Sequence, residues 1–198
     1  MAQPPKEPVV AGLLLAAGGG RRLGGRPKAL LEHRGRPLVE HAVRVLREGG
    51  CGPVHVVLGA AADRVRQEAD LSGCVLVDNP GWEEGMGSSL RAGLESLAAD
   101  AALVSLVDQP GIGAAAVARV RSAYRSRDSL AAAAYEGERG HPVLFGAHRW
   151  RDIAAGAVGD RGARAYLKEH EASLALVECG DIAEAYDIDT EQDLAHLE

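Results

Sequence analysis

Residues 9–24 read VVAGLLLAAGGGRRLG, and this stretch decides the fold class of the chain. The run at 9–15 is apolar throughout, which is typical of a strand buried on both faces of a parallel sheet. Three glycines at 18–20 follow it, and Arg21 and Arg22 come next. Ligands of open α/β sheets bind at the carboxyl ends of the strands, and glycine lets several backbone N–H groups face an anion. The stretch therefore predicts a strand followed by a phosphate-binding loop.

The same alternation of strand and helix continues along the chain. Short aliphatic runs at 54–58, 75–77 and 102–107 are separated by stretches of helical period, which indicates an α/β domain with a mainly parallel sheet. The segment LAAAAYEGERGHPVLF at 130–145 predicts two strands around a glycine-bearing turn, and hence an antiparallel pair.

Two helices carry recognisable start and stop signals. One is PLVEHAVRVLREGG, with Pro37 predicted in its first turn and Gly49-Gly50 at its end. The other is SSLRAGLESLAAD, with Ser88 predicted as its N-cap. Helices and sheet together predict a Rossmann-like three-layer sandwich.

Composition limits the domain organisation and the class of partner. The 198 residues suit one core, so we expect a flexible, proline-rich segment at 1–8 and a single domain at 9–198. The net charge of -6 argues against a nucleic-acid surface, and no run of ~20 apolar residues predicts a membrane span. The three cysteines are scattered and predict neither disulfides nor a zinc site. This cysteine usage is typical of proteins of the reducing cytoplasm, where we expect the chain to be located.

The glycine loop by itself leaves its role open. It lacks the GxxxxGK and Ser or Thr of a Walker A loop, and it lacks the acidic partner of a dinucleotide fingerprint. Arg22 and Lys28 could donate charge-assisted hydrogen bonds to phosphate oxygens. A flexible turn with solvated arginines explains the glycine content equally well.

The wider sequence around this loop resembles a known family. LAAGGGRRLGGRPK at 15–28 is similar to the signature of the MobA-like NTP transferases, most closely the branch of molybdenum cofactor cytidylyltransferases. Further blocks resemble the family in order at 79–94, 108–110, 140–146, 159–164 and 187–194. The resemblance implies the nucleotide-diphospho-sugar transferase type of fold. It also implies transfer of a nucleotide from a triphosphate to a phosphate-bearing acceptor.

The resemblance also implies a set of site residues. It assigns catalytic roles to Arg22, Lys28 and Asp108. Asp108 and Asp189 would bind Mg²⁺, with Asp187 in reserve, because carboxylates are the ligands that magnesium takes beside substrate phosphates. Nucleotide binding would involve Leu15, Ala16, Ala17, Gly18, Gly19, Gly20, Arg22, Lys28, Ser88, Ser89 and Asp108.

Substrates follow from the same resemblance. Ala17 is typical of the cytidylyl branch, where the guanylyl branch has glycine, so CTP is the expected nucleotide. Molybdopterin is the implied acceptor, and His141 and Arg164 are candidates for its pocket because a guanidinium fits a terminal phosphate. A molybdenum hydroxylase is a candidate partner enzyme.

Other interpretations stay open at this point. Asp108 and Asp189 could be turn or cap residues, Thr190 could cap the last helix, and lone histidines and arginines are usually structural or solvated. The nucleotide could be GTP, or the acceptor a sugar phosphate. A nucleotide-cofactor-dependent oxidoreductase and a non-catalytic partner of molybdenum hydroxylases are the alternatives from other classes.

Overall fold

The carboxyl ends of six parallel strands lie at one edge of a seven-stranded sheet in the computed structural model, which describes residues 3–198. Two further short strands form a separate hairpin. The strands are β1 (Val10–Leu15), β2 (Glu32–His33), β3 (Arg36–Pro37), β4 (Val54–Leu58), β5 (Val75–Asp78), β6 (Ala101–Leu106), β7 (Leu130–Tyr135), β8 (Glu138–Gly146) and β9 (Ala175–Glu178). The helices are α1 (Leu38–Glu48), α2 (Ala62–Glu68), α3 (Met86–Glu95), α4 (Ala114–Arg121), α5 (Trp150–Gly156) and α6 (Arg164–Glu169).

The sheet has the order β5-β4-β1-β6-β8-β7-β9. Its pairs are parallel except where β8 meets β6 and β7, so β8 alone runs against the others. The predicted mostly parallel sheet with an antiparallel strand is therefore confirmed, and β1 is an interior strand between β4 and β6.

Two hydrophobic clusters cover the two faces of the sheet. Val10 and Leu14 of β1 belong to one cluster, and Leu13 and Leu15 belong to the other. Successive side chains of a strand point to opposite faces, so an all-apolar strand must be covered on both sides. Buried residues of α1 and α4 lie in the first cluster and those of α3 lie in the second, which completes the three-layer sandwich.

The predicted glycine turn joins β7 and β8 as a tight hairpin. Its two central residues, Glu136 and Gly137, have φ angles of 52° and 81°. Positive φ at both positions is the requirement of the two-residue turn that matches strand twist. Gly137 meets this requirement without strain.

Both helix starts differ from the sequence prediction. Pro37 directly precedes α1 and is its N-cap. Helix α3 begins at Met86, two residues before the predicted cap, because Gly85 adopts a φ of 112° and ends the preceding turn. Ser88 lies inside the first turn of α3, where its hydroxyl donates to the Gly85 carbonyl at 2.8 Å.

The amino-terminal segment lies outside the sheet. Residues 1 and 2 of the predicted flexible segment are outside the described residues, and residues 3–8 are exposed without regular structure. Within residues 3–198, no helix combines the length and apolar character needed to span a bilayer.

Candidate active site

The glycine loop forms one wall of a cleft of about 400 Å³ at the carboxyl edge of the sheet. It follows β1, and the loops after β5 and β6 provide the neighbouring walls. We call this the glycine-loop cleft. It is lined by Leu15, Ala17, Gly18, Gly19, Gly20, Arg21, Arg22, Lys28, Trp82, Glu83, Gly85, Met86, Ser89, Leu106, Val107, Asp108, Asp160 and Asp189.

Gly20 sets the course of this loop. Its φ is 62°, and a Cβ at this position would lie 2.0 Å from the Arg26 carbonyl oxygen. The Gly20 carbonyl accepts hydrogen bonds from the amides of Leu23 and Gly25 at 2.9 and 3.0 Å. Only glycine fits this close approach, which turns the chain so that Arg22 and Lys28 both reach the cleft.

Four charged side chains meet at the mouth of the cleft. The Lys28 ammonium donates to Asp108 Oδ2 at 2.7 Å and to Asp189 Oδ1 at 3.2 Å. Arg22 donates to the other oxygen of Asp189 at 2.5 Å. These residues are up to 167 positions apart in the chain. The fold thus brings together the residues predicted to bind phosphate and metal.

Burial and pairing perturb the pKa values of this cluster. Burial raises the pKa of Asp108 despite the attraction of the Lys28 ammonium. Burial opposes the charged form of Lys28, but the attraction and hydrogen bonds of Asp108 and Asp189 together outweigh it and raise the pKa of the lysine. Burial likewise opposes ionisation of Asp189, yet hydrogen bonds and charge from Lys28 and Arg22 hold its pKa below the usual value. Lys28 is therefore protonated and Asp189 ionised at neutral pH.

The two carboxylates fit a divalent cation that is shared with a substrate. Asp108 and Asp189 present oxygens to one point, which the Lys28 nitrogen contacts. Among residues 3–198, no cluster of three or more His, Cys, Asp or Glu side chains could hold a metal ion. A cation here would need phosphate oxygens and water to complete its coordination, as magnesium commonly does.

Asp187 and Asp189 take different positions. Asp189 lines the glycine-loop cleft, whereas Asp187 lines a second cleft beside it. Asp187 accepts a hydrogen bond from Gln109 Nε2 at 2.8 Å. Asp189 therefore shares Lys28 with Asp108, whereas Asp187 does not.

Two residues of the predicted nucleotide set lie away from the cleft surface. The Ala16 side chain packs in the hydrophobic cluster on one face of the sheet. The buried Ser88 hydroxyl accepts a hydrogen bond from Asn79 and donates to backbone carbonyls. Ser89 does line the cleft, and its hydroxyl accepts from Asn79 Nδ2 at 2.9 Å.

The second cleft encloses about 490 Å³ and we call it the neighbouring cleft. Leu15, Met86, Leu106 and Asp160 line both clefts, so the two are adjacent. The predicted acceptor residues, His141 and Arg164, both line the neighbouring cleft.

The imidazole of His141 is neutral at physiological pH. Burial lowers its pKa to about 4, and the nearby Arg139 contributes in the same direction, whereas Asp187 opposes the shift. A neutral imidazole can accept as well as donate a hydrogen bond. His141 therefore offers a ligand in the neighbouring cleft hydrogen bonds rather than charge.

Several residues that line the clefts were missed at the sequence level. Trp82 and Glu83 belong to the first cleft, Tyr135 and Arg139 belong to the second, and Asp160 belongs to both. Trp82 and Asp160 fall within or beside the blocks at 79–94 and 159–164, so position in a block was the available signal. Tyr135 lies in no block and Arg139 directly precedes the block at 140–146, and the β7–β8 pairing brings both to the cleft.

Comparison with known proteins agrees with this geometry. A family model described as the MobA-like NTP transferase domain matches residues 12–174. The chain is 40% identical to the nicotine blue oxidoreductase of Paenarthrobacter nicotinovorans, over 96% of this chain and 97% of that protein. It is 29% identical to the molybdenum cofactor guanylyltransferase of Shewanella amazonensis, over 67% of this chain and 66% of that protein.

Solved structures share the whole architecture. Rv0371c from Mycobacterium tuberculosis, crystallised in complex with manganese, is 25% identical and superimposes with a TM-score of 0.77. The match covers 96% of this chain and 97% of that one. The sheet and its helices have the fold of the nucleotide-diphospho-sugar transferases.

Proposed function

Because the chain belongs to the MobA-like NTP transferase family, we propose that it transfers CMP from CTP to a molybdopterin-type acceptor and releases pyrophosphate. The observation that carries this proposal is the charged cluster on the glycine-loop cleft. Lys28 contacts Asp108 and Asp189 within 3.2 Å, beside a loop whose backbone can approach phosphates. The cationic side chain that would bind the triphosphate and the carboxylates that would bind its metal ion thus line the same cleft.

The chain's own residues position the reacting groups. Arg22 is largely exposed and can leave Asp189 for a phosphate oxygen at little cost, because exposed ion pairs are weak. Lys28 is held at the cleft by two carboxylates and supplies a fixed positive charge for the departing pyrophosphate. These groups orient the triphosphate for in-line attack.

The transfer itself needs no covalent intermediate on the protein. A phosphate oxygen of the acceptor attacks the α-phosphorus of CTP and forms a new P–O bond. The bond from the α-phosphorus to the bridging oxygen breaks, and pyrophosphate leaves with the electron pair. The adjacency of the two clefts supports this direct route, because Leu106 and Asp160 line both of them.

A divalent cation, which we propose to be Mg²⁺, would be held by Asp108 and Asp189. When bound, such an ion neutralises phosphate charge and stabilises the developing negative charge of the transition state. The hard oxygen donors of both aspartates support this assignment. The manganese complex of the related Rv0371c protein supports a divalent ion in the same fold.

The choice of CTP is supported by the floor of the cleft. Ala17 lines the cleft, and its methyl group lies beside Gly59, where an added Cβ would approach it to 2.8 Å. A methyl group here leaves less room than the glycine of the guanylyl branch, which favours a one-ring base. Because guanylyltransferases are among the relatives, GTP is the nucleotide to compare with CTP.

The acceptor assignment is supported by the neighbouring cleft. Arg139, Arg161 and Arg164 line it together with His141, so an anionic group would find guanidinium partners there. Apolar side chains such as Val143 and Phe145 form its inner wall. Such a cleft suits a ligand that has a phosphate end and a ring that packs against apolar side chains.

Pyrophosphate release tests the proposal directly. The purified chain is incubated with Mg²⁺ and each nucleoside triphosphate, with and without molybdenum-loaded molybdopterin. We expect release with CTP that depends on the acceptor. Release with GTP but not with CTP would show that GTP is the nucleotide substrate. No release with any triphosphate would overturn the proposal.

Three aspartate variants test the assigned roles. Asp108→Asn and Asp189→Asn should lower turnover about 100-fold or more, because each removes a metal ligand. Asp187→Asn should mainly raise the acceptor KM, because Asp187 lines the neighbouring cleft. Asp63→Asn, on the exposed first turn of α2, serves as the matched control.

A redox activity is the second candidate function. The observation that favours it is the 40% identity to nicotine blue oxidoreductase, which extends over nearly the full length of both chains. The glycine loop could then hold the pyrophosphate of a dinucleotide, and the neighbouring cleft the aromatic substrate. Flavin absorbance of the purified chain, or reduction of nicotine blue by a reduced dinucleotide, would establish this activity. Absence of both would exclude it.

A further inference from the structure

The aromatic ring of Trp82 has no part in the phosphate chemistry described above. Among the described residues that line the glycine-loop cleft, Trp82 is the one with an aromatic side chain. It is partly exposed and begins a short helical turn, Trp82–Glu84, after β5. We propose that the Trp82 indole is the platform on which the nucleobase stacks. This inference rests on the proposed function, because it assumes that the cleft binds a nucleotide.

Two glycines let the indole lie directly against backbone. A Cβ at Gly19 would come within 2.9 Å of Trp82 Cζ3. A Cβ at Gly59 would come within 2.5 Å of the Trp82 Cβ. Because neither glycine carries a side chain, the loops after β1 and β4 support the ring. The indole is thus a rigid part of the cleft wall.

The buried residue Asn79 holds the backbone of Trp82 in place through its main chain and its side-chain amide. The Trp82 amide donates to the Asn79 carbonyl at 3.2 Å. The Asn79 side chain accepts from the Gly81 amide at 3.1 Å and donates to Ser88 and Ser89 at 2.9 Å. This network ties the turn to α3 before any ligand arrives. A preorganised aromatic surface binds a base with little loss of entropy.

The indole and the Lys28 side chain contact successive residues of the glycine loop. A Cβ at Gly18 would meet the Lys28 stem at 3.9 Å, whereas one at Gly19 would meet Trp82. A triphosphate bound at Lys28 therefore places its nucleoside within reach of the indole. Ser89 lines the same wall, and since its oxygen accepts from Asn79, its own hydrogen is available to a base.

Intrinsic fluorescence provides a direct test, because the chain contains two tryptophans. Trp150, in α5, donates from Nε1 to the Phe145 carbonyl at 2.9 Å and does not line the glycine-loop cleft. Trp150→Phe therefore leaves Trp82 as the sole reporter. We expect CTP with Mg²⁺ to quench its emission and tripolyphosphate with Mg²⁺, which has no base, to leave it unchanged. Equal changes with both ligands would overturn the proposal.

Binding measurements on two Trp82 variants complete the test. Stacking of one base on an aromatic side chain corresponds to about 5- to 150-fold in affinity. Trp82→Ala should therefore raise the Kd for CTP by that factor and leave the Kd for tripolyphosphate unchanged. Trp82→Phe, which retains an aromatic face, should restore most of the CTP affinity. Thermal unfolding of each variant, with Trp150→Phe as the matched control, checks the fold.

The possible failures are distinguishable. If the wild-type chain binds no nucleoside triphosphate, the proposed function fails and this inference fails with it. If Trp82→Ala binds CTP as tightly as the wild type, only the role of Trp82 fails. If the variant loses CTP and tripolyphosphate affinity equally, Trp82 supports the loop and is not a stacking platform.

Discussion

Lys28 is the residue on which the charged cluster depends. Its ammonium lies between Asp108 and Asp189, and its side chain is 14% exposed. Lys28→Gln would leave the largely buried Asp108 without a cation and Asp189 with Arg22 alone, which we expect to cost about 1 to 3 kcal/mol of stability. It should also lower turnover about 100-fold, because a phosphate-binding charge is lost. Urea unfolding and pyrophosphate release measure the two effects.

Lys168→Gln is the matched control for that substitution. Lys168 is exposed on α6, far from both aspartates in sequence and outside both clefts. We expect it to change neither stability nor turnover. Equal behaviour of the two glutamine variants would show that Lys28 has no special role.

His141 should make stability depend on pH. Burial lowers its pKa from 6.5 to about 4, with Arg139 acting in the same direction and Asp187 against it. Between these values the unfolded chain binds a proton that the folded chain does not, so stability falls as pH decreases. The loss should reach about 2 to 3 kcal/mol at pH 4 and be absent above pH 7.

His141→Gln isolates this effect from the other histidines. Burial also lowers the pKa values of His41 and His55, so the wild-type slope has several sources. The difference between wild type and His141→Gln, measured by urea unfolding from pH 7.5 to pH 4, reports His141 alone. A constant difference across that range would contradict the predicted shift.

At the scale of elements, the β4–α2 loop packs closely against the Trp82 turn. A Cβ at Gly59 would lie 2.5 Å from Trp82 and 2.8 Å from Ala17. Gly59→Ala should push the turn away from the glycine loop, at a cost of about 1 to 3 kcal/mol. Displacement of a cleft wall should weaken CTP binding about tenfold or more. Thermal unfolding and nucleotide titration measure both.

Gly156→Ala gives the comparison within a helix. Gly156 ends α5, and an added Cβ there would have no neighbour within 4 Å. Alanine at a helical position is favoured over glycine by up to about 1 kcal/mol. We expect unchanged or slightly raised stability and unchanged binding. A similar loss in both alanine variants would show that the close contact at Gly59 is not the cause.

For the whole molecule, ligand binding should appear as thermal stabilisation. CTP with Mg²⁺ at about 100 times its Kd adds about 2.7 kcal/mol to the free energy of unfolding. For a domain of this size, that corresponds to a rise in Tm of roughly 5 to 10 °C. EDTA should remove most of the rise, because Asp108 and Asp189 would bind the ion together with the phosphates. A rise that EDTA leaves unchanged would argue against a metal-dependent site.

Local pattern was sufficient for most of the fold. The apolar run predicted at 54–58 is strand β4, and all five of its residues are buried. The glycine turn near residue 137 was found because its backbone requirement is local. The start of α1 was misplaced by one residue and the N-cap of α3 by three, because alternative caps such as Gly85 compete within a few positions.

The sequence by itself determined the α/β class, the glycine loop and the resemblance that singled out Lys28, Asp108 and Asp189. These depend on residue order and local periodicity. Only the tertiary structure decided that one ammonium contacts both carboxylates, that Ala16 and Ser88 point away from the cleft, and that Trp82 lies against Gly19. Each of these depends on strand order and side-chain direction across the sheet. Those are set by packing between segments far apart in the chain, which local periodicity does not contain.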